Sequence, residues 1–274
     1  MDRIICCLDT GPASAATLEW VRRLWPEAAI TALHVAPPQE VLLGGMSEWE
    51  IDRDDPFSPP RRWLTDLATA HGARAELLAG EPWPAIRDHL DASDRAPDLV
   101  VAAAHSGRFA RIALGSTATE LAQHSLIDTL IVPPDGTARG PIDDIVCAIE
   151  EPRAAVAIAG ARRLAQATGA TRIELVHVAV PPLPMGRNLV AGTLPMPAEV
   201  EREALAFLER ASSQVPDATA TLLAGDPASQ VVEHCQKTGA GALVLAPEPR
   251  GFGSVAARSI RSAPCAVMLA RRAT

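Results

Sequence analysis

The chain repeats itself, and this internal duplication constrains its fold more than any other sequence feature. Four segments of the first half return in the same order in the second half, each 141 to 145 positions later. The paired segments are RIICCLD (3–9) and DIVCAIE (144–150), ITALHVAPP (30–38) and IELVHVAVPP (173–182), AELLAGEPWPAI (75–86) and ATLLAGDPASQV (220–231), and DLVVAAA (98–104) and ALVLAPE (242–248). The common order and the nearly constant offset indicate two copies of one unit of ordinary domain size, ~140 residues.

A linker separates the two copies. The segment 131–144 places three prolines and two glycines between two apolar runs, which is a composition typical of a connection between domains. We place the boundary near residue 138, which predicts one domain at 1–137 and a second, degenerate copy at 138–274.

Within each copy, short aliphatic runs alternate with helical patterns. The runs lack polar alternation, as expected for parallel strands that are covered on both faces. In the first copy, strands are predicted at 3–8, 29–35, 74–79, 98–104 and 128–133, and helices at 14–25, 61–72, 83–93 and 117–125. In the second copy, the strands are predicted at 144–149, 172–178, 220–224, 242–247 and 266–270. The pattern predicts an α/β fold of two tandem doubly wound, Rossmann-like, five-stranded parallel sheets with flanking helices.

Composition excludes several classes of protein. A net charge of −8 argues against a nucleic-acid partner, because phosphate binding needs a basic surface. No apolar run approaches the ~20 residues of a membrane span, and MDRIICCLD has no signal-peptide pattern, so we expect a cytoplasmic protein. The five cysteines are odd in number and show no CxxC spacing. Buried thiols are therefore expected, rather than a disulfide framework or a metal cluster.

Ligands of doubly wound sheets bind at the carboxyl ends of the strands, which directs attention to the residues that follow them. After strand 4, Gly107 permits a turn, and Gly115-Ser116 opens a helix whose free N–H groups suit a phosphate. The hydroxyl of Ser116 or Thr117 would add a contact. The alternative is ordinary helix capping, because Thr117 and Glu120 have the spacing of a capping box.

Acidic and imidazole side chains also lie at these strand ends. Asp9 ends strand 1, where its carboxylate either meets ribose hydroxyls or, with Ser14, begins the first helix. His34 and His177 end strand 2 in the two copies. No serine or cysteine nucleophile accompanies them, which favours packing and hydrogen bonding over catalysis.

Several of these motifs together resemble the universal stress protein family. They are D-T-G-x-x-S-x-x-x-L-E-W from residue 9, L-H-V from 33, Gly-Glu-Pro from 80, D-L-V-V from 98 and Gly-Ser from 115, with a second family-like ending at 253–272. The resemblance covers nearly the whole chain as a tandem pair. It implies ATP as a ligand, with Asp9 near the ribose, the backbone at Val35 near adenine, and Gly107, Gly115, Ser116 and Thr117 around the phosphates.

The two copies differ in how well they match the family's binding motif. In the first copy, Ala104 replaces the first glycine, and only seven residues separate Gly107 from Gly115. In the second copy, Glu150 replaces the strand-1 aspartate, and the loop shortens to PEPRGFGS at 247–254. The resemblance therefore predicts nucleotide in the first domain only. It also predicts an intrachain pseudo-dimer in which the last strands of the two copies meet near Ile131 and Val267. Association of two chains into a homodimer is a further possibility.

Three functional classes stay open at this point. The first is a stress-response protein that binds ATP or senses another small molecule, without catalysis. The second is an interaction scaffold for a protein partner. The third is an α/β hydrolase-type enzyme, but CLDTGPAS after strand 1 supplies none of the loops that such chemistry uses. The segments 37–60 and 181–197 follow strand 2 and differ between the copies, so they are candidates for covering the crevice or for specificity.

Overall fold

The computed structural model describes residues 1–36, 57–103, 116–133, 140–180, 196–248 and 253–273. Its contacts divide the chain into two compact units, Met1–Pro141 (unit 1) and Ile142–Thr274 (unit 2). The Trp20 indole N–H donates to the Gly140 carbonyl at 2.8 Å, which ties the end of the linker to unit 1.

Unit 1 alternates strands and helices as the sequence pattern predicts. Its strands are β1 (Arg3–Cys7), β2 (Ala29–Ala36), β3 (Arg74–Ala79), β4 (Leu99–Ala103) and β5 (Thr129–Val132). Its helices are α1 (Ala13–Leu24), α2 (Ser58–Ala70), α3 (Pro82–Asp91) and α4 (Ser116–His124).

Unit 2 repeats the same order of elements. Its strands are β6 (Asp144–Ala148), β7 (Arg172–Ala179), β8 (Thr219–Ala224), β9 (Ala242–Leu245) and β10 (Ala266–Leu269). Its helices are α5 (Ala154–Thr168), α6 (Ala198–Ser212), α7 (Pro227–Thr238) and α8 (Ser254–Ser262).

Within each unit the strands are parallel and follow the doubly wound order. Unit 1 has the order β3-β2-β1-β4-β5, and unit 2 has the order β8-β7-β6-β9-β10. The central strands are buried on both faces, with Ile4 beside Ile30 and Leu99 in register. The predicted α/β fold of tandem Rossmann-like units is confirmed.

The second helix of unit 1 begins earlier than the sequence predicts. We expected it at residue 61, but it starts at Ser58, with prolines in its first turn. A proline is tolerated there because the N–H that it lacks would have no intrahelical partner. Proline therefore lies in the first turn of this helix, and not in the preceding loop as the sequence pattern predicts.

Paired Gly-acid-Pro turns connect the third strand of each unit to the next helix. Gly80 and Gly225 have φ angles of 127° and 128°, which L side chains rarely adopt. In unit 2, Asp226 accepts the Ser229 N–H at 3.0 Å and lies 2.6 Å from Arg258 Nη1. These contacts lower the Asp226 pKa, the Ser229 bonds most, and they hold the amino end of α7 beside α8.

Each unit contains a partly buried contact between a glutamate and a histidine. In unit 1, Glu76 on β3 lies 3.3 Å from His89 Nδ1 on α3. In unit 2, Glu174 lies 3.0 Å from His234 Nε2 on α7, with an angle outside hydrogen-bond geometry, and accepts the Thr221 hydroxyl at 2.6 Å. The histidines occupy equivalent positions, but the glutamate has moved from the third strand to the second.

Candidate functional site

The candidate site of unit 1 lies where its strand order reverses. β1 and β4 are neighbours, and the strand order runs from β1 to β2 in one direction and from β4 to β5 in the other. Such a reversal opens a crevice at the carboxyl ends of the two strands. Leu8 and Asp9 follow β1 at this edge, and α4 begins at Ser116 on the way from β4 to β5.

Asp9 holds the turn between β1 and α1. Its Oδ1 accepts the Gly11 N–H at 2.9 Å and lies 3.0 Å from the Ser14 hydroxyl, and that hydroxyl lies 2.6 Å from the Asp9 carbonyl oxygen. Asp9 therefore organises the turn before α1, but it does not cap the helix, because Pro12 holds the cap position and no side chain bonds there. Asp9 is nevertheless exposed. Both of its side-chain contacts use the same carboxylate oxygen, Oδ1.

Val35 and His34 lie near the carboxyl end of β2 and are buried. His34 Nδ1 lies 2.8 Å from the Leu8 carbonyl oxygen, and its ring packs edge-on against Trp63 at 5.3 Å. Because a carbonyl oxygen only accepts, Nδ1 carries the proton. The predicted packing and hydrogen-bonding role of this histidine is confirmed, and Val35 lies one residue beyond it.

The predicted phosphate-binding residues fall partly outside the described residues. Gly107 and Gly115 lie there, as does Ala104. Ser116 is the first residue of α4, and Thr117 follows it as a half-buried residue. The capping box predicted for Thr117 and Glu120 is not what the helix uses, because Thr117 is already helical and Glu120 Oε2 lies 3.3 Å from His124 Nε2.

Unit 2 contains a cavity of 360 Å³ at the matching edge of its sheet. Residues that follow β6 and β9 line it, together with part of β7 and the amino end of α8. His177 lies in its wall, and His177 Nδ1 donates to the Ile149 carbonyl at 3.0 Å. The ring packs edge-on against Phe207 at 4.9 Å. Unit 2 thus repeats the contact of the unit 1 histidine with a backbone carbonyl after the first strand. The packing and hydrogen-bonding role predicted for His177 is confirmed.

The charged residues of this cavity are mostly acidic. Glu150, Glu151 and Glu248 line it, with Arg153 as a basic residue. Glu151 Oε1 lies 3.3 Å from Arg210 Nη2. Glu150 could be identified from the sequence, whereas Arg153 was not predicted, although its position just before the first helix of the second copy is a signal for it.

A larger concavity of 590 Å³ lies elsewhere in unit 1. It is lined by Trp83, His124 and Leu126, and the Trp83 and His124 ring centroids are 5.9 Å apart. Leu126 and its neighbour Ile127 precede β5, so this concavity lies at the opposite edge from Asp9. None of the predicted site residues lines it.

The cysteines are buried thiols, as the sequence predicts. Burial raises the pKa of Cys7 to about 12, and it raises the pKa of Cys6 and of Cys147 further. A nucleophilic or metal-binding cysteine must ionise, so these thiols are suited to packing. Among the described residues, no group of three or more His, Cys, Asp or Glu could hold a metal ion.

Comparison with known proteins decides the family. The model of the universal stress protein family matches residues 1–133 and again residues 141–271. The chain belongs to the universal stress protein family. The two matches confirm the tandem resemblance seen in the motifs, and they place the chain among stress-response proteins.

Solved structures of the family share the fold. A universal stress protein from Archaeoglobus fulgidus matches with a TM-score of 0.68 at 17% identity, over 99% of this chain and 96% of the other. A putative universal stress protein from Pseudomonas aeruginosa matches with a TM-score of 0.63 at 12% identity, over 98% and 93%. Among curated proteins, no match was found. Within the described residues, none of the helices is both long and apolar enough to cross a bilayer.

Proposed function

We propose that this universal stress protein binds an adenine nucleotide, ATP, in unit 1 and acts in the stress response without catalysis. The observation that carries the proposal is the crevice at the reversal of strand order. There the exposed Asp9 follows β1, Val35 lies near the end of β2, and α4 begins at Ser116.

The electrostatics of this edge suit a nucleotide. The amino end of α4 offers free N–H groups and the positive end of the helix dipole, both of which favour phosphate. Ser116 and Thr117 would contribute hydroxyl donors, and Gly107 and Gly115 would let the backbone approach the phosphates. Asp9 keeps acceptor capacity for ribose hydroxyls, because a carboxylate offers about four lone-pair sites.

The lining of the unit 2 cavity suits a polyphosphate less well. Among the described lining residues, three glutamates outnumber one arginine, so a triphosphate would meet like charge. Its loop also contains Pro249, which lacks an N–H donor. We therefore assign the nucleotide to unit 1.

Two glycine variants test this assignment. Gly115→Val should obstruct the close approach of backbone to phosphate and abolish the heat of ATP binding in titration calorimetry. Gly253→Val is the matched control, because Gly253 occupies the equivalent position before α8, where a Cβ would meet open space. It should leave the affinity within about twofold.

The outcomes separate the alternatives. Loss of ATP binding only in Gly253→Val would move the site to unit 2. No heat from the native chain at millimolar ATP would favour the interaction scaffold. Release of ADP or phosphate during the titration would favour an enzyme over a binding protein.

A further inference from the structure

The cavity of unit 2 has a lining that differs in chemistry from a phosphate site. Its walls are aliphatic where β6, β7 and β9 end, whereas its ionic groups are Glu150, Glu151, Arg153 and Glu248. Glu151 contacts Arg210. Within the described ranges, Glu150 and Glu248 have no ion pair, so two carboxylates remain to face a ligand.

Arg153 supplies the opposite charge. Its Nε is buried, and none of the described residues accepts a hydrogen bond from it. A buried donor without an acceptor is unfavourable, so an anionic ligand group near this guanidinium would be stabilising. Arg153 precedes α5 and lines the cavity, which places a basic residue in the cavity wall.

His177 adds a directional acceptor. Its Nδ1 carries the proton that is donated to Ile149, so the Nε2 of the neutral ring has a lone pair. A ligand N–H would satisfy it. The lining therefore favours a ligand with cationic or N–H groups near the two carboxylates and the imidazole. Near Arg153 it favours an anionic oxygen.

We propose that the unit 2 cavity binds a basic α-amino acid. Among the described lining residues, two glutamates without an ion pair and one arginine match two cationic groups and one carboxylate in number and sign. The ligand carboxylate contacts Arg153, and its ammonium and side-chain cation contact Glu150 and Glu248. A volume of 360 Å³ lies at the lower end of the ~300–1,000 Å³ of ligand pockets, which suits an amino acid.

Three ligands that differ by one group each test the proposal on the full chain. L-arginine carries all three charges, agmatine lacks the carboxylate, and L-citrulline replaces the guanidinium by an uncharged group of similar shape. Saturation-transfer NMR and titration calorimetry should show L-arginine binding at least about tenfold more tightly than either relative, equivalent to about 1.4 kcal/mol.

Two variants assign the contacts. Arg153→Gln should reduce the affinity for L-arginine to that for agmatine and leave agmatine unchanged. Glu248→Gln should remove the preference for L-arginine over L-citrulline. Arg87→Gln, an exposed change in unit 1, is the control and should alter neither preference. Thermal melting monitored by circular dichroism checks folding, and the ligand series on the native chain decides the question even where a variant fails to fold.

Equal binding of the three ligands, or no binding of L-arginine at millimolar concentration, would overturn the proposal. Competition of ATP with L-arginine would overturn it as well, because it would place both ligands in one cavity. ATP binding to unit 1 is measured in a separate experiment, so one proposal can fail while the other stands.

Discussion

At the scale of single residues, Gly160 shows how closely a helix approaches the sheet in unit 2. It lies inside α5 and is buried. A Cβ added to it would lie 2.4 Å from the Ala270 Cβ and 3.5 Å from Val244 Cγ1. The absence of a side chain therefore lets α5 pack directly against the residue that follows β10.

Gly160→Ala should destabilise the protein although alanine is the better helix former. Helix propensity favours alanine by about 1 kcal/mol, but overpacking a close contact costs about 1–3 kcal/mol. We expect a net loss of about 1 kcal/mol in urea denaturation. Adding Ala270→Gly removes the clashing methyl group and should recover most of that loss. A single Gly160→Ala variant more stable than the native chain would show that α5 can move away.

At the scale of elements, both units contain a glutamate–histidine contact, but the glutamate comes from a different strand in each unit. His89 and His234 are equivalent, whereas the partner is Glu76 on the third strand in one unit and Glu174 on the second strand in the other. Because neighbouring parallel strands present adjacent side chains to the same helix, either strand can supply the carboxylate.

This equivalence predicts a rescue in unit 2. Glu174→Thr removes the carboxylate beside His234 and the acceptor of the Thr221 hydroxyl, and it should cost about 1–3 kcal/mol, since these groups are largely buried. Adding Thr221→Glu recreates the unit 1 arrangement and should restore more than half of the loss in urea denaturation. Thr221→Glu in the native background is the control and should be destabilising, because it places two carboxylates together. Additive losses in the double variant would rule out the equivalence of the two strands.

At the scale of the whole molecule, the chain carries two copies of one fold with different chemistry at corresponding edges. Unit 1 has Asp9 and the start of α4 at its crevice, whereas unit 2 has a cavity lined by glutamates and Arg153. Divergence of one copy would permit a second ligand class while the other copy keeps the proposed nucleotide site.

One nucleotide per chain is therefore expected despite two family domains. Native mass spectrometry at saturating ATP should show a single adduct, and Gly115→Val should remove it. A second adduct that persists in Gly115→Val and disappears in Gly253→Val would show that unit 2 binds nucleotide too. The predicted pairing of strands near Ile131 and Val267 stays a prediction, which crosslinking of these strands would test.

The sequence by itself determined the fold class, because the duplication and the unbroken aliphatic runs can be recognised from the order of residues without knowledge of tertiary contacts. The strands agree with the predicted ones to within two residues, and the helices of unit 1 mostly do so too. The start of α2 differed because prolines suit a first helical turn as well as a loop. The roles of His34 and His177 were also predictable, since both copies retain them at one strand end.

Tertiary structure alone decided which side chains meet. The contact of Glu174 with His234 and the approach of α5 to Ala270 both join residues far apart in sequence. No periodicity or spacing encodes such contacts, because they depend on how helices pack across neighbouring strands. The sequence could show that Glu150 replaces Asp9 in the second copy. Only the packed sheet showed that this change accompanies a cavity with its own arginine and imidazole.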